Sequence, residues 1–306
     1  MVIRVWLPDT AAAFGRLPAG IEADVWRGGD EFPASADEVE YVVLPLGGKP
    51  EIELIRKIGA LPRLKTVQVL SAGVDYIQPY LPARITLCNA RGAHTPATAE
   101  WTVGAIIASL RDFPRFAAAQ LAGHWEPERS DTVTGKRVLI VGYGSIGEAV
   151  ERRLAGWEVS IDRVARHHRD GVHALDDLPR LLPEADVVVI LVPVTEETRQ
   201  LVNAEFLKRM KDGALLVNAA RGVIVDTDAL LAELTSGRLR AALDVTDPEP
   251  LPDGHPLWSA PGLLLTPHVG GAVPGSRERA FEVVTAQLAR LAAGEPLLNV
   301  INDDGY

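Results

Sequence analysis

Short apolar runs recur along the chain, separated by stretches whose apolar positions repeat at helical spacing. The runs Ile3–Leu7, Tyr41–Leu44, Thr66–Leu70, Arg137–Val141, Val159–Val164, Val187–Leu191, Ala214–Val217, Ala241–Asp244 and Leu263–Leu265 predict strands. Helical patterns fill Ile52–Ile58, Ala99–Ala122, Ser145–Leu154, Ala204–Arg209 and Thr227–Thr235, and Ala97–Leu121 reads as one long apolar helix. A one-sided strand would alternate polar and apolar residues, whereas VVVILV at 187–192 is apolar on both faces. Such strands belong in parallel sheets covered by helices on both sides. The expected class is therefore α/β, with doubly wound parallel sheets.

No repeat or low-complexity segment interrupts the pattern. Residues 1–96 carry strand-helix units of their own, and the long helix then leads into a nucleotide-binding signature. The stretch ERAFEVVTAQLARLAAGEP near the end forms a helix with no strand after it. If that helix packs back on the first domain, the domains are 1–96 with 276–306, discontinuous, and 97–275.

Composition narrows the setting. A chain of 306 residues can bury two cores without covalent staples. Cys88 is its one cysteine, so neither an internal disulfide nor a cysteine metal cluster can form, which suits a reducing, cytoplasmic setting. Met-Val-Ile-Arg-Val-Trp-Leu-Pro reads as a short strand rather than a basic-then-apolar leader. The apolar runs fall well short of the ~18 residues that cross a bilayer. A net charge of −10 argues against binding a nucleic-acid backbone through the bulk surface. No Cys/His spacing suggests a metal.

The clearest chemical signal is RVLIVGYGSIGEAVERRL, a strand running through Gly142, Tyr143, Gly144, Ser145, Ile146 and Gly147 into a helix. In this setting the glycines give a tight turn, close approach to a pyrophosphate and close helix-to-strand packing. The helix N-terminus then offers N–H groups and a positive dipole end to the phosphates. An NAD site usually places a carboxylate about 20 residues further on, at the ribose 2′-hydroxyl. Here EVSIDRVARHHRDG puts Ala165 and Arg166 at that point, followed by His167, His168 and Arg169, while Asp162 falls inside the strand. A guanidinium there suits a 2′-phosphate, so NADP(H) is favoured and NAD(H) stays open. A solvated loop face is the lesser alternative for Arg166 and Arg169.

Three later segments end in polar residues just beyond apolar strands: LLVNAARGVIVD with Arg221, AALDVTDPEPLP with Asp244 and Glu249, and LLLTPHVGG with His268. Ligands of open α/β sheets bind beyond the carboxyl ends of strands, so these residues are candidates for one crevice. Singly, Arg221 pairing with Asp226, Glu249 as surface charge and His268 as a satisfied loop histidine are adequate accounts. Together they suit carbonyl reduction: an arginine for a carboxylate, a histidine to move a proton, and an acid to orient the histidine.

These segments resemble the D-isomer-specific 2-hydroxyacid dehydrogenase family from about Ala97 to Gly271. The resemblance rests on VGYGSIG, LVPVTEETRQLVNAEFLKRMKDGALLVNAARGVIVD, ALDVTDPEPLPDGHPLW and TPHVGG, with LSAGVDYI and NARGAHTPATAEW earlier. It implies two Rossmann-like domains with the active site in the cleft between them, and a homodimer built on the cofactor domains and the long helix. It implies catalytic roles for Arg221, Glu249 and His268, with Arg221 on the substrate carboxylate and His268 as the general acid and base. Ala72 and Gly73 fall in the loop whose N–H groups hold that carboxylate. The implied cofactor contacts are Asp244 and Gly270 on the nicotinamide side, with Thr98, Ala219, Ala220 and His268. Val192, Pro193 and Thr198 fall on the adenosine side. His94 departs from the small or amide residue usual at its place, so no role follows for it. Gly47 and Gly48 suit either a closing loop or a flexible turn. The implied reaction is hydride transfer between NAD(P)H and the C2 carbonyl of a small 2-oxo acid. A phosphite-type dehydrogenase and a dinucleotide-sensing corepressor share this fold and stay open as alternatives.

Overall fold

The computed structural model describes residues 2–46 and 50–302. Gly47 and Gly48 lie outside them. Two compact units emerge, one formed by residues up to 94 together with 274 onward, the other by 95–273.

In the first unit the strands are β1 (Ile3–Leu7), β2 (Ile21–Val25), β3 (Val39–Val43), β4 (Thr66–Gln68) and β5 (Thr86–Cys88), with helix α1 (Ile52–Gly59) between β3 and β4. They form one parallel sheet in the order β2-β1-β3-β4-β5. Strands β2 and β5 extend the pattern read from the sequence. Only Ile21 is buried in the edge strand β2, and β5 is three residues long, so neither leaves a strong apolar run.

The second unit contains α2 (Thr95–Leu110), α3 (Phe113–Leu121), β6 (Arg137–Val141), α4 (Ser145–Leu154), β7 (Ser160–Val164), α5 (Leu178–Leu181), β8 (Val187–Ile190), α6 (Ala204–Arg209), β9 (Leu215–Asn218), α7 (Thr227–Thr235), β10 (Arg240–Leu243) and β11 (Leu263–Leu265). The chain then returns to the first unit as α8 (Ser276–Ala293). The sheet order is β11-β10-β9-β8-β6-β7, again parallel throughout. Strands β8 and β9 are wholly buried, as their apolar runs require. One face of the sheet sends Leu139, Val188, Ile190 and Leu216 into one cluster, and the other sends Val138, Ile140, Val189 and Val217 into a second, with α2 and α4. Burying each such side chain stabilises by ~1.5–3 kcal/mol before entropy is charged.

The expected single helix over 97–121 is corrected. Asp112 adopts a left-handed conformation (φ 52°), and Pro114 stands at the start of α3. Proline lacks an N–H and its ring clashes with the carbonyl four residues back, here that of Leu110 where α2 ends, so the apolar run is cut in two.

Among the described residues the tail after α8 forms no strand, but it is tied down. Val300 makes an isolated antiparallel bridge to Cys88, and Ile301 N–H donates to Leu87 O at 2.8 Å. Buried Gln287 grips Leu298 from both sides, accepting from its N–H at 2.8 Å and donating to its carbonyl at 2.6 Å. Among the described residues no helix is long and apolar enough to cross a membrane.

Candidate active site

The glycine loop is shaped by what a side chain would strike. A Cβ on Gly142, whose φ is +108°, would lie 2.5 Å from the Leu191 carbonyl carbon, and one on Gly147 would lie 3.0 Å from Gly142 O. At Gly144 a Cβ would meet no atom within 4 Å, so there is open space in front of α4, whose N-cap makes no side-chain cap bond. Open space, an N-terminus without a side-chain cap and two forced glycines fit a dinucleotide pyrophosphate. Tyr143 fastens the loop: its hydroxyl donates to Glu151, and Glu151 takes two bonds from Arg163 on β7, one of them at 2.8 Å. Hydrogen bonding from Arg163 holds the Glu151 carboxyl below its ordinary range despite some burial. Burial and the bond to Glu151 push Tyr143 upward. Thr195 Oγ1, Pro193 O and Thr198 Oγ1 close the turn after β8, with Thr198 donating to Pro193 at 2.6 Å and lying 3.1 Å from Thr195. Val192 and Ala220 are buried, as is Thr98 on α2.

Past β7, Asp162 stays within its strand and binds Arg137 at 2.5 Å. Arg166 contacts Glu197 at 3.4 Å, and Arg169 donates to Tyr143 O at 2.7 Å with its guanidinium 5.8 Å from the Tyr143 ring.

Strand register brings the catalytic candidates together. Asn218 pairs with Leu243, and Leu243 with Leu265, so β9, β10 and β11 end level. The segments beginning at Ala219, Asp244 and Thr266 therefore leave the sheet side by side. Asn218 is fully buried; its carbonyl oxygen accepts from Ala220 N–H at 3.0 Å and its amide donates to Arg221 O at 2.9 Å. This sets the turn that presents Arg221, whose Nη1 donates to Ala220 O at 2.7 Å. Ala219 N–H is tied back to Ile190 O at 3.3 Å. A Cβ on Gly222 would stand 1.9 Å from Thr246 O, so the turn runs against the loop after β10. Asp226 caps α7 through Ala229 N–H at 3.0 Å.

His268 Nδ1 lies 2.7 Å from Glu249 Oε1. The backbone at His268 is left-handed (φ 54°), a conformation that costs a non-glycine residue about 1–3 kcal/mol and persists only when its surroundings enforce it. Asp244, almost wholly buried, does so. Its carboxylate accepts from Thr266 Oγ1 at 2.6 Å, Val269 N–H at 2.9 Å and Gly270 N–H at 2.8 Å. Its backbone carbonyl accepts from His268 N–H at 2.7 Å. A Cβ on Gly270 would strike the same carboxylate at 2.8 Å. Asn218, Gly222 and this grip of Asp244 on the histidine loop were not read from the sequence. A polar residue closing an apolar strand, as in LLVN and AALD, was the available signal.

In the first unit, Asn89 donates to Ala72 O at 2.7 Å and Ser71 Oγ to Gly73 O at 2.8 Å. Both carbonyls are thereby held and the loop's orientation fixed. The His94 ring lies 2.8 Å from Leu70 O, steadying the entry to the same loop.

Residues 103–270 match the family description "D-isomer specific 2-hydroxyacid dehydrogenase, NAD binding domain". The chain belongs to the D-isomer specific 2-hydroxyacid dehydrogenase family. It is an NAD(P)-dependent oxidoreductase with two Rossmann-like domains. A glyoxylate reductase of Thermofilum pendens is 35% identical over 260 residues, covering 80% of this chain and 77% of that one. A hydroxypyruvate reductase of Thermotoga maritima is 32% identical over 82% of this chain and 84% of its own. Among solved structures, the family member from Xanthobacter autotrophicus, in complex with NADPH and MES, aligns with a TM-score of 0.85 at 31% identity, covering 100% of this chain and 99% of that one.

Proposed function

We propose that the protein reduces the C2 carbonyl of a small 2-oxo acid, of the glyoxylate or hydroxypyruvate kind, to the D-2-hydroxy acid, with NADPH preferred over NADH. The observation that carries the reading is the His268–Glu249 contact of 2.7 Å, set beside the turn bearing Arg221 by level strand ends. The nicotinamide, when bound, supplies the hydride to C2. Glu249 occupies the Nδ1 side of the imidazole, so Nε2 is the atom that gives a proton to the C2 oxygen. Arg221 binds the carboxylate through its planar fork and stabilises negative charge growing on the oxygen. In the oxidative direction Nε2 takes the proton back. The names of the relatives, and the NADPH in the Xanthobacter structure, support this choice of substrate and cofactor.

The deciding experiment follows the absorbance of reduced nicotinamide with NADPH and NADH in parallel, against glyoxylate, hydroxypyruvate and pyruvate. Consumption of NADPH with a higher kcat/KM than NADH supports the full reading. A preference for NADH removes the 2′-phosphate argument and leaves the reductase. Binding of both cofactors with no turnover of any acid sinks the reductase reading.

The working unit in this proposal is a homodimer. Ala119 is the one buried residue of α3, while Phe113, Leu121 and Trp125 stand exposed on this arm, Leu121 and Trp125 by more than 90%. Large apolar side chains exposed along one short segment suit a second copy of the chain. Light scattering is expected to give twice the chain mass; a monomer at working concentration overturns it.

A further inference from the structure

Glu197 stands where it can compete for the guanidinium assigned to the cofactor's 2′-phosphate. Sheet order places β6, which carries the glycine loop, between β7 and β8. Arg166 follows the end of β7, and Glu197 lies in the turn after β8 that Thr195 and Thr198 hold closed. Their contact at 3.4 Å therefore reaches across the end of the intervening strand, over the loop of Gly142–Gly147. Both side chains are partly solvated, at 39% and 57% exposure, so the pair can exchange partners at little cost. Arg169 is differently placed: it is fixed to Tyr143 O and lies over the Tyr143 ring.

We propose that Glu197 is a specificity-determining residue, an internal counter-ion that a 2′-phosphate must displace from Arg166 when a dinucleotide binds. This rests on the NADPH reading above. Pairing with Glu197 offsets the positive charge that Arg166 presents to an incoming ligand. A 2′-phosphate is a multiply charged acceptor that matches the guanidinium fork, so it wins the exchange. A 2′-hydroxyl gains little from displacing a carboxylate, and leaves the pair intact. Glu197 thus lowers affinity for the phosphorylated cofactor selectively, narrowing its advantage over the unphosphorylated one.

The test is calorimetric binding to the full chain, with 2′,5′-ADP against 5′-AMP and NADPH against NADH, for wild type, Glu197→Gln, Arg166→Ala and the double variant. Glu197→Gln is expected to tighten 2′,5′-ADP and NADPH by about two- to fivefold, the scale of an exposed ion pair, and to leave 5′-AMP and NADH nearly unchanged. Arg166→Ala is expected to weaken only the 2′-phosphorylated ligands, and in that background Glu197→Gln should have no further selective effect. If Arg166→Ala leaves 2′,5′-ADP affinity unchanged, the 2′-phosphate reading and this proposal both fall. If Arg166→Ala weakens it while Glu197→Gln has no effect, or shifts both ligand classes alike, the cofactor reading stands and the role of Glu197 is overturned.

Discussion

At the residue scale, the candidate site depends on hydrogen-bond partners that fix three side chains. His268→Gln is expected to lower turnover by about 100-fold or more, the usual scale for a general acid–base group. Near-normal kcat at saturating cofactor would remove His268 from that role. Asp244→Asn should act on the same step through geometry. The carboxylate accepts three hydrogen bonds, whereas an asparagine must turn its amide N–H₂ toward Gly270 N–H or toward the pair Thr266 and Val269. A buried donor left facing a donor costs about 1–3 kcal/mol. The expected loss is about tenfold or more in kcat. Because Asp244 acts through the histidine loop, the loss should largely vanish when Asp244→Asn is added to His268→Gln. An undiminished loss in that background would make Asp244 an independent contributor, as its implied contact with the nicotinamide side would make it. His268, Glu249 and Arg221 could be picked out as candidates because each follows an apolar strand in chain order. The grip of Asp244 and Asn218 was not, because a backbone acceptor or donor leaves no mark on composition.

At the element scale, what could be read was what buries an unbroken apolar run. Strands β6, β8 and β9 announced themselves, while β2 with its single buried residue and the three-residue β5 did not. The break at Asp112 was hidden because apolar spacing continues through Phe113–Leu121 and only Pro114 signals the change. Two glycines separate folding from binding. Gly222→Ala would drive a Cβ to 1.9 Å from the Thr246 carbonyl oxygen, with backbone rather than a flexible side chain in the way. Overpacking of this kind costs ~1–3 kcal/mol or more, so a lower Tm is expected along with lost activity. Gly144→Ala meets open space and should leave Tm near wild type. Its methyl group intrudes where a pyrophosphate approaches, so dinucleotide affinity should drop by about tenfold or more, a loss of ~1.4 kcal/mol or more. Calorimetric melting and titration of both variants check the pair. Unchanged affinity in Gly144→Ala would mean that the loop does not approach the phosphates.

At the scale of the whole molecule, the carboxylates held low among the described residues lie in the second unit, while the neutral acids most deeply buried lie in the first, which gives the units different pH windows. In the second unit Arg163 holds Glu151 below its ordinary value. Burial pulls Asp131 and Asp186 upward, but Lys136, the Thr132 N–H and Arg240 around the first, and Lys211, the Arg137 N–H and Lys136 around the second, together hold both low. A carboxylate depressed in the folded state binds fewer protons there than when unfolded. Its contribution is thus present above the unfolded value and is lost as pH falls through the folded one. In the first unit Asp30 raises exposed Lys57, and the groups shifted by burial are neutral acids in the core. Burial pushes the Cys88 thiol up to about 12, against an opposing bond from Gln287, and burial with nearby Cys88 raises Tyr41 well above its ordinary value. The unfolded chain releases these protons first, so the stability they contribute is full below the ordinary thiol value and drains as pH rises toward the folded one. Acidification below the ordinary carboxylate range should therefore loosen 95–273 first, and alkaline pH above the ordinary thiol value should loosen the first unit first. Hydrogen exchange followed by peptide mapping distinguishes the two. Protection should fall early in β6, β8 and β9 on the acid side, and in β3, β4 and β5 on the alkaline side. The Cys88 thiol adds an independent reading, because its alkylation should stay slow until β5 and the tail over it open. Simultaneous loss of protection in both units at both ends would show that they unfold as one cooperative block, and that these local charges do not set the order.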